Sequence, residues 1–263
     1  MFNQDPETVR NTYNIEFPLL VFVGHTVNAR TKSDVGKNAN RTLSDVEKSL
    51  KFMARVLRNE DNWVPEAIDR VLQKNAGLVD DDGIDPFGEA LEALRDTDLN
   101  GEAIYDQLLK EMFHVRASSG LELVNIENAD GEIGLRASGT DDYFGVINIG
   151  GDRVFLDRIE GAHDHITVES DQFMRSLFRS INKRDSPINV LIGSRKFIEG
   201  WDSWRVSTMG LMNFGRGEGS QVIQLFGRGV RLLGKARTLK RSSVVEVDPP
   251  SNLPLLETLN VLG

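Results

Sequence analysis

The chain contains the stretch Ile188-Asn-Val-Leu-Ile-Gly-Ser194-Arg-Lys-Phe-Ile-Glu-Gly200-Trp-Asp202, in which a short apolar run passes directly into a polar loop. Ile188–Ile192 has the length and composition of a strand buried in a parallel sheet. Ser194 follows that strand and is therefore expected at the carboxyl edge of the sheet, where open α/β sheets bind their ligands. Gly200 permits close backbone approach, and Asp202 can accept hydrogen bonds from a ribose or an arginine. The competing interpretation is a capped turn of a generic α/β fold.

A second stretch, Gln224-Leu-Phe-Gly-Arg-Gly-Val-Arg231, is predicted to lie on a helix from about Gly219 to Leu233. Residues at i, i+4 and i+7 share a helix face, so Gln224, Arg228 and Arg231 point in the same direction. Gly227 has no side chain that would crowd that face. Two guanidinium groups at an interdomain cleft can stabilise the charge that develops on a transferring γ-phosphoryl group. The competing interpretation is a basic amphipathic helix whose arginines are solvated.

Strand patterns elsewhere predict an α/β protein. The apolar run Phe17–Gly24 indicates a strand buried on both faces. An Asp130-Gly131 turn predicts a β-hairpin. The other predicted strands are Leu121–Asn128 and Glu132–Ala137 in the hairpin, Tyr143–Ile149 and Val206–Phe214, and the apolar end Leu253–Gly263 is also strand-like. Strands that alternate with helices imply right-handed crossovers and a RecA-like parallel sheet flanked by helices.

Helix patterns are clearest near Ser44-Asp-Val-Glu47, a capping box that precedes an apolar stripe of Val46, Leu50, Met53 and Leu57. Further helices are predicted over Pro65–Gln73, Phe87–Leu94, Glu102–Phe113 and Ser170–Asn182. Loops rich in Asp and Gly separate the helices between residues 60 and 115. We interpret 60–115 as a helical insertion within one domain, 1–263, and expect that domain to belong to a longer polypeptide.

Charge is distributed unevenly along the chain. The 263 residues carry a net charge of −9, but Met174–Arg241 holds 14 Lys and Arg against 4 Asp and Glu, an excess of +10 that leaves −19 for the rest. Clustered positive charge suits phosphate contact, because each neutralised phosphate releases counterions. A solvated basic face is the alternative. The absence of cysteine excludes disulfides and thiolate metal sites and agrees with a cytoplasmic location. No apolar stretch approaches the roughly 20 residues of a membrane span.

These segments resemble, in chain order, motifs IV, V and VI of the second RecA-like domain of superfamily-two DEAD/DEAH-type helicases. The resemblance is closest to the restriction subunit of type III restriction–modification enzymes, which typically carries Glu-Gly-Trp-Asp and Gln-x-x-Gly-Arg-Gly-x-Arg-Leu, as here at Glu199–Asp202 and Gln224–Leu232. It covers roughly residues 186–241 plus motif IV at Phe17–Gly24. The family's phosphate-binding loop, Gly-x-x-x-x-Gly-Lys-Ser/Thr, occurs nowhere in the sequence. Its nuclease motif cannot be placed either.

The resemblance implies the C-terminal motor domain of an ATP-dependent DNA helicase or translocase from a type III-like restriction system. Its catalytic arginine fingers would be Arg228 and Arg231. Its ATP-cleft residues would be Gly200, Asp202, Gln224 and Gly227. Its nucleic-acid contacts would be Ser194, Arg195, Lys196 and Trp201. No metal ligands are assigned.

The same resemblance implies partners and cofactors. ATP and Mg²⁺ would bind in the full-length protein, between this domain and an N-terminal RecA-like domain of the same polypeptide. The isolated domain is expected to bind neither and to hydrolyse negligible ATP. Duplex DNA is the expected substrate, with RNA left open, and a modification (methyltransferase) subunit is a candidate partner. No membrane partner is expected.

Two other classes of function compete with the motor. The first is a non-catalytic nucleic-acid-binding module with a degenerate RecA fold. The second is a small-molecule α/β enzyme using the loop Gly215–Gly219, whose spacing does not match a dinucleotide loop. His163 and His165 alternate in a polar loop and are expected to be surface residues rather than metal ligands. Trp201 and Trp204 either stack on a base or pack the loop against the sheet.

Overall fold

Eight strands form one sheet in the part of the chain that the computed structural model describes. The described residues are 5–24, 44–77, 79, 81–85, 91–149, 152–160, 162–163, 165–194, 203–212, 223, 227, 233–245, 248–250 and 252–263. The strands are β1 (Leu19–Gly24), β2 (Leu121–Ile126), β3 (Glu132–Ala137), β4 (Tyr143–Asn148), β5 (Ile166–Asp171), β6 (Val190–Ser194), β7 (Val206–Met212) and β8 (Asn260–Leu262). Their order across the sheet is β5-β2-β3-β4-β6-β1-β7-β8.

The sheet is mostly parallel. Strand β3 runs antiparallel to β2 and β4, and the five other pairings are parallel. Helices flank the sheet. The predicted α/β class is therefore confirmed, and the arrangement is consistent with a RecA-like domain.

Strand β1 lies near the centre of the sheet, between β6 and β7. Its Val21 is buried and pairs with Leu191 of β6, while Phe22 packs on the opposite face of the sheet. Apolar side chains thus cover both faces of β1, as the continuous apolar run predicts. The strands predicted over Phe17–Gly24 and Ile188–Ile192 are confirmed, with starts at Leu19 and Val190.

The β2–β3 hairpin is also confirmed, and its turn needs a glycine. Gly131 has φ +78°, and a Cβ built on it would lie 2.6 Å from the carbonyl oxygen of Ile149. The Ile149 amide donates a 2.9 Å hydrogen bond to the Gly131 carbonyl oxygen. The turn therefore packs directly on the end of β4, at a distance that a larger residue would not allow.

Helix α2 (Asp45–Arg58) begins at the predicted capping box. Ser44 Oγ accepts a 3.2 Å hydrogen bond from the Glu47 amide, which satisfies a backbone donor of the first turn. The predicted stripe of Val46, Leu50, Met53 and Leu57 is buried. The local pattern thus gave both the start of this helix and its buried face.

The other described helices are α1 (Pro6–Tyr13), α3 (Trp63–Leu72), α4 (Glu92–Arg95), α5 (Gly101–Phe113), α6 (Asp152–Ile159), α7 (Ser242–Val245) and α8 (Leu253–Leu256). Helices α3 and α5 confirm the predictions over Pro65–Gln73 and Glu102–Phe113. Within Phe87–Leu94, residues 87–90 lie outside the described part, and Glu92–Leu94 belong to α4. The helix predicted over Gly219–Leu233 also lies largely outside it, although Ile223 and Gly227 are helical. The strand-like character predicted for Leu253–Gly263 is wrong for Leu253–Leu256, which form α8. It is confirmed for Asn260–Leu262, which form β8.

Helices α2, α5 and α6 cover one face of the sheet, and α3 packs on α5. Phe113 of α5 meets Phe144 of β4 edge to face, with ring centroids 4.9 Å apart. Residues 60–115 therefore contribute to this helical layer, and their status as an insertion stays a prediction. At 14 residues, α2 is the longest described helix, and no helix in the described ranges has the length and apolar character to cross a membrane.

The helix predicted over Ser170–Asn182 is wrong. Strand β5 continues to Asp171, and only Phe178–Ser180 forms a short 3-10 helix. One reason is that Glu132 accepts a hydrogen bond from the Phe178 amide, which an α-helix over this segment would pair with the Met174 carbonyl oxygen. Leu177 and Ile181 are nevertheless buried, as the apolar pattern requires.

Candidate functional site

Three central strands end side by side at the carboxyl edge of the sheet. Gly24, the last residue of β1, pairs with Ser194 at the end of β6 and with Met212 at the end of β7. The segments that follow Phe17–Gly24, begin at Ser194 and lead towards Gln224–Arg231 therefore start at one edge of the sheet. This edge is where open α/β sheets bind ligands.

Most of the predicted site residues lie outside the described part of the chain. Ser194 is described as the last backbone position of β6, and Gly227 as a helical residue. The predicted residues outside the described ranges are Arg195, Lys196, Gly200, Trp201, Asp202, Gln224, Arg228 and Arg231. The structure thus brings together the strands that carry these segments, and the positions of the side chains stay predictions.

The crossover from β6 to β7 spans the height of the sheet. Since β6 and β7 are both parallel to β1, the chain leaves the carboxyl edge at Ser194 and must return to the amino edge before Val206. By Arg205 it has done so, because the Leu19 amide at the start of β1 donates to the Arg205 carbonyl oxygen at 2.8 Å. Ser194 and the residues just after Asp202 therefore lie at opposite edges, about 15 Å apart for a five-residue strand.

Arg205 fixes the far end of this crossover. Its side chain is 5% exposed and donates hydrogen bonds to three backbone carbonyl oxygens: Phe17 at 2.9 Å, Ile181 at 2.5 Å and Ile188 at 2.8 Å. Burial lowers the pKa of Arg205 to about 10, which leaves the guanidinium charged at neutral pH. Nothing in the local sequence pattern marks Arg205 as buried, so its role could not be predicted from the sequence.

Trp204 sits beside Arg205 and is 43% exposed. It precedes β7 and therefore lies at the amino edge of the sheet, away from the edge where Ser194 ends its strand. This placement separates Trp204 from Ser194, and stacking of Trp204 on a base stays a prediction. Trp201 lies outside the described residues.

A polar network holds the loop after β5 at the carboxyl edge. Asp171 Oδ1 accepts hydrogen bonds from the amides of Phe173 and Met174, both at 2.8 Å, and Oδ2 accepts from the Tyr143 hydroxyl at 2.9 Å. The Met174 hydrogen bond lowers the pKa of Asp171 against the opposing effect of partial burial, and the bonds from Phe173 and Tyr143 lower it further. Burial and the bond to Asp171 raise the pKa of Tyr143.

A polar cavity of about 510 Å³ lies beside this loop. Three exposed basic side chains line it, together with Glu132 and Asp130: Arg175, Arg179 and Lys183. These cations belong to the basic segment Met174–Arg241, and the sequence alone does not assign them to a site. Only tertiary structure brings them to the hairpin turn, since the turn and the cations are more than 40 residues apart.

Two further cavities lie among the described residues. One, of about 470 Å³, lies between α2, α3 and α5 and is lined by apolar side chains such as Met53, Ile68 and Leu108. The other, of about 580 Å³, is lined by α2 and by residues preceding β5, including His163 and His165. His163 Nε2 lies 2.9 Å from Glu47 Oε1. Within the described ranges, no three His, Asp or Glu residues are grouped to hold a metal ion.

Comparison with known proteins leaves the function to be argued from the site. The sequence matches no protein-family model, and searches of curated proteins and of solved structures returned no match.

Proposed function

We propose that this chain is the second RecA-like domain of an ATP-dependent DNA helicase or translocase, from a cytoplasmic type III-like restriction system. The observation that carries the proposal is the pairing of Gly24 with both Ser194 and Met212. Three segments that resemble consecutive helicase motifs thereby start from adjacent strand ends. A chance likeness of short motifs would not require that their strands be neighbours.

The resemblance assigns two tasks to motif V. Ser194, with Arg195 and Lys196, would contact the nucleic-acid backbone, and Trp201 would add a base contact. Gly200 and Asp202 would line the ATP cleft. Ser194 ends β6 at the carboxyl edge of the sheet, the edge at which β7 also ends before motif VI.

Motif VI would complete the ATP cleft. Ile223 and Gly227 are helical, which supports the spacing that puts Gln224, Arg228 and Arg231 on one helix face. The two guanidinium groups fit a triphosphate by charge and by geometry, because each offers a fork of N–H donors. ATP with Mg²⁺ supplies the phosphoryl group whose transfer to water drives movement. The chain has no phosphate loop, so the Mg²⁺ ligands and the loop are assigned to an N-terminal RecA-like domain.

Arg228 and Arg231 would stabilise negative charge on the transferring group while the partner domain holds the nucleotide. An arginine finger is worth about 10³–10⁵ in turnover. The test is DNA-stimulated ATP hydrolysis by the natural polypeptide that joins this chain to a phosphate-loop domain. Arg231→Ala is expected to lower turnover by about 1,000-fold or more, while Arg70→Ala, at an exposed arginine of α3 outside the basic segment, leaves it unchanged. Near-wild-type turnover of Arg231→Ala would overturn the assignment.

The absence of a phosphate loop also favours a second candidate, a non-catalytic nucleic-acid-binding module with a degenerate RecA fold. It predicts nucleic-acid binding without ATP hydrolysis, even in the natural polypeptide. DNA-stimulated ATP hydrolysis by the natural polypeptide would support the helicase or translocase and contradict this second candidate. The same assay with duplex DNA, single-stranded DNA and RNA identifies the substrate, and co-purification with a methyltransferase subunit tests the restriction partner.

A further inference from the structure

We propose that the loop after β5 is a stacking and phosphate-binding platform for single-stranded nucleic acid. The platform consists of Phe173, Arg175, Arg179 and Lys183. The proposal rests on the proposed nucleic-acid function and extends it to a surface that none of the helicase-like motifs includes. It assigns recognition of unpaired bases to Phe173 and recognition of phosphates to the three cations.

Phe173 is 94% exposed, so its ring contributes almost no buried area to this fold. A single exposed apolar side chain is common on protein surfaces and indicates little alone. Phe173 differs because its backbone is fixed: Asp171 accepts from its amide and from the amide of Met174. An exposed ring on a fixed turn presents a flat face on which an unpaired base can stack, an interaction worth about 1–3 kcal/mol per base.

The rest of the loop is held from the β2–β3 turn. Asn128 Nδ2 donates to the carbonyl oxygen of Gln172 at 2.5 Å, and Glu132 accepts from Ser176 Oγ at 2.5 Å and from the Phe178 amide at 3.1 Å. Glu132 is 5% exposed, and its two hydrogen bonds are partly buried. A loop that is already ordered loses little conformational entropy when a ligand binds.

The cations of the platform have no ion-pair partner in the described part of the chain. Arg175, Arg179 and Lys183 are exposed, and no ion pair joins them to an acidic residue of the described ranges. Asp130 and Glu132 share the cavity, so its lining still carries an excess of one positive charge. Three cations spaced along a fixed loop suit successive phosphates of a strand.

The cavity lined by His163 and His165 also has basic side chains, but its two arginines have partners within the protein. There Arg58 forms an ion pair with Glu60, and Arg55 stacks over the ring of Trp63 with its guanidinium carbon 4.7 Å from the centroid. Those cations have intramolecular partners that a ligand must displace. The platform cations have none among the described residues, which is why we assign nucleic-acid contact to the platform.

The platform shares an edge with the motif V strand end. Asp171 pairs with Ile126 at the end of β2, Glu132 pairs with Asn148 at the end of β4, and Asn148 pairs with Gly193 of β6. Four strand spacings separate β5 from β6, or about 20 Å. One strand of nucleic acid that crosses the carboxyl edge can therefore reach from the platform to Ser194.

The test is fluorescence anisotropy of the 263-residue chain with labelled 20-nucleotide oligothymidine, an abasic 20-mer with the same phosphates, oligouridine and a 20-base-pair duplex. Wild-type protein is expected to bind oligothymidine more tightly than the abasic strand or the duplex. Phe173→Ala should weaken oligothymidine binding about 5- to 150-fold and abasic binding hardly at all, and Phe173→Trp should restore it. Equal losses on both strands, or no loss, would overturn the stacking role.

The salt dependence of binding tests whether the three cations contact phosphates. Changing Arg175, Arg179 and Lys183 together to Ala should reduce the slope of log K against log salt by about 2, since each single-strand phosphate contact contributes roughly 0.7. A matched control, the triple change of Arg70, Lys74 and Arg116 to Ala, removes three exposed cations from other parts of the surface and should leave the slope unchanged. Equal slopes for both triple variants would overturn the phosphate role.

The failures of the two proposals can be told apart. If the wild-type chain binds strongly and only Lys196→Ala weakens it, the platform is overturned and the proposed function stands. If the wild-type chain binds none of the four probes, the platform is overturned, and the proposed function is decided by the ATPase assay of the natural polypeptide. Equal affinity for duplex and oligothymidine overturns the single-strand platform alone. Because Phe173 and the three cations are exposed, their variants are expected to fold, and unchanged thermal melting confirms this.

Discussion

Arg205 Nη2 donates a 2.8 Å hydrogen bond to the carbonyl oxygen of Ile188, so the residue that leads into β7 is bonded directly to the chain that leads into β6. The same guanidinium reaches the carbonyl oxygen of Phe17, just before β1. One side chain thus ties together the amino ends of the three strands whose carboxyl ends carry the candidate site. Its loss is expected to disturb the sheet register as well as local packing.

Arg205→Met is expected to destabilise the fold by about 2–4 kcal/mol, because buried carbonyl oxygens lose their donors while the apolar volume is largely kept. Arg205→Lys should recover only part of this, since an ammonium cannot reach three carbonyls in the fork geometry of a guanidinium. Urea denaturation measures both. Arg237→Met, at an exposed arginine, serves as the control. An unchanged midpoint for Arg205→Met would show that these hydrogen bonds contribute no net stability.

The elements that sequence predicts well here are those whose cause is local. The apolar run at Phe17–Gly24, the cap at Ser44 and the Asp130-Gly131 turn each contain, within a few residues, the groups that determine their structure. In these elements the hydrophobic periodicity, the helix cap and the turn residues all favour the structure that is observed. The strand order could not be derived in this way, because pairing depends on the whole set of strands.

The errors of prediction come from partners that are distant in sequence. Ser170–Asn182 has the period of an amphipathic helix, yet Glu132, more than 40 residues earlier, accepts from the Phe178 amide and from Ser176. The role of Arg205 could not be predicted for the same reason, since the carbonyl oxygens that it binds lie in three separate segments. At the candidate site, the sequence predicted which strands would carry motifs, and the structure adds that these strands are neighbours.

Gly101 allows α5 to start against α3. Its amide donates a 2.7 Å hydrogen bond to Asp69 Oδ1, and a Cβ built on it would lie 2.2 Å from the carbonyl oxygen of Pro65. Gly101→Ala is therefore expected to force the two helices apart and cost about 1–3 kcal/mol, as overpacking does. Helix propensity alone predicts the opposite, a gain of up to about 1 kcal/mol. A chemical denaturation curve gives the sign, and stabilisation would contradict the close contact.

Asp171 makes the stability of the platform loop depend on pH. Its pKa is lowered in the folded protein, chiefly by the Met174 amide, so folding favours the carboxylate. The stabilisation is fully present above the unfolded pKa, near 4, and is lost as the pH falls through the lower folded value. Asp171→Asn keeps an oxygen that can accept a hydrogen bond but removes the charge.

The wild-type protein should therefore lose stability more steeply than Asp171→Asn between about pH 4 and pH 3. The two proteins should differ most at neutral pH, where the charge is present in the wild type alone. Urea denaturation at intervals from pH 7 to pH 3 measures the difference, with Asp157→Asn, at an exposed aspartate of α6, as the control for removing one charge. Parallel stability curves for wild type and Asp171→Asn would mean that the charge of Asp171 does not hold the loop. The platform would then rely on Asn128 and Glu132 for its order, and Asp171→Asn would leave oligothymidine binding unchanged.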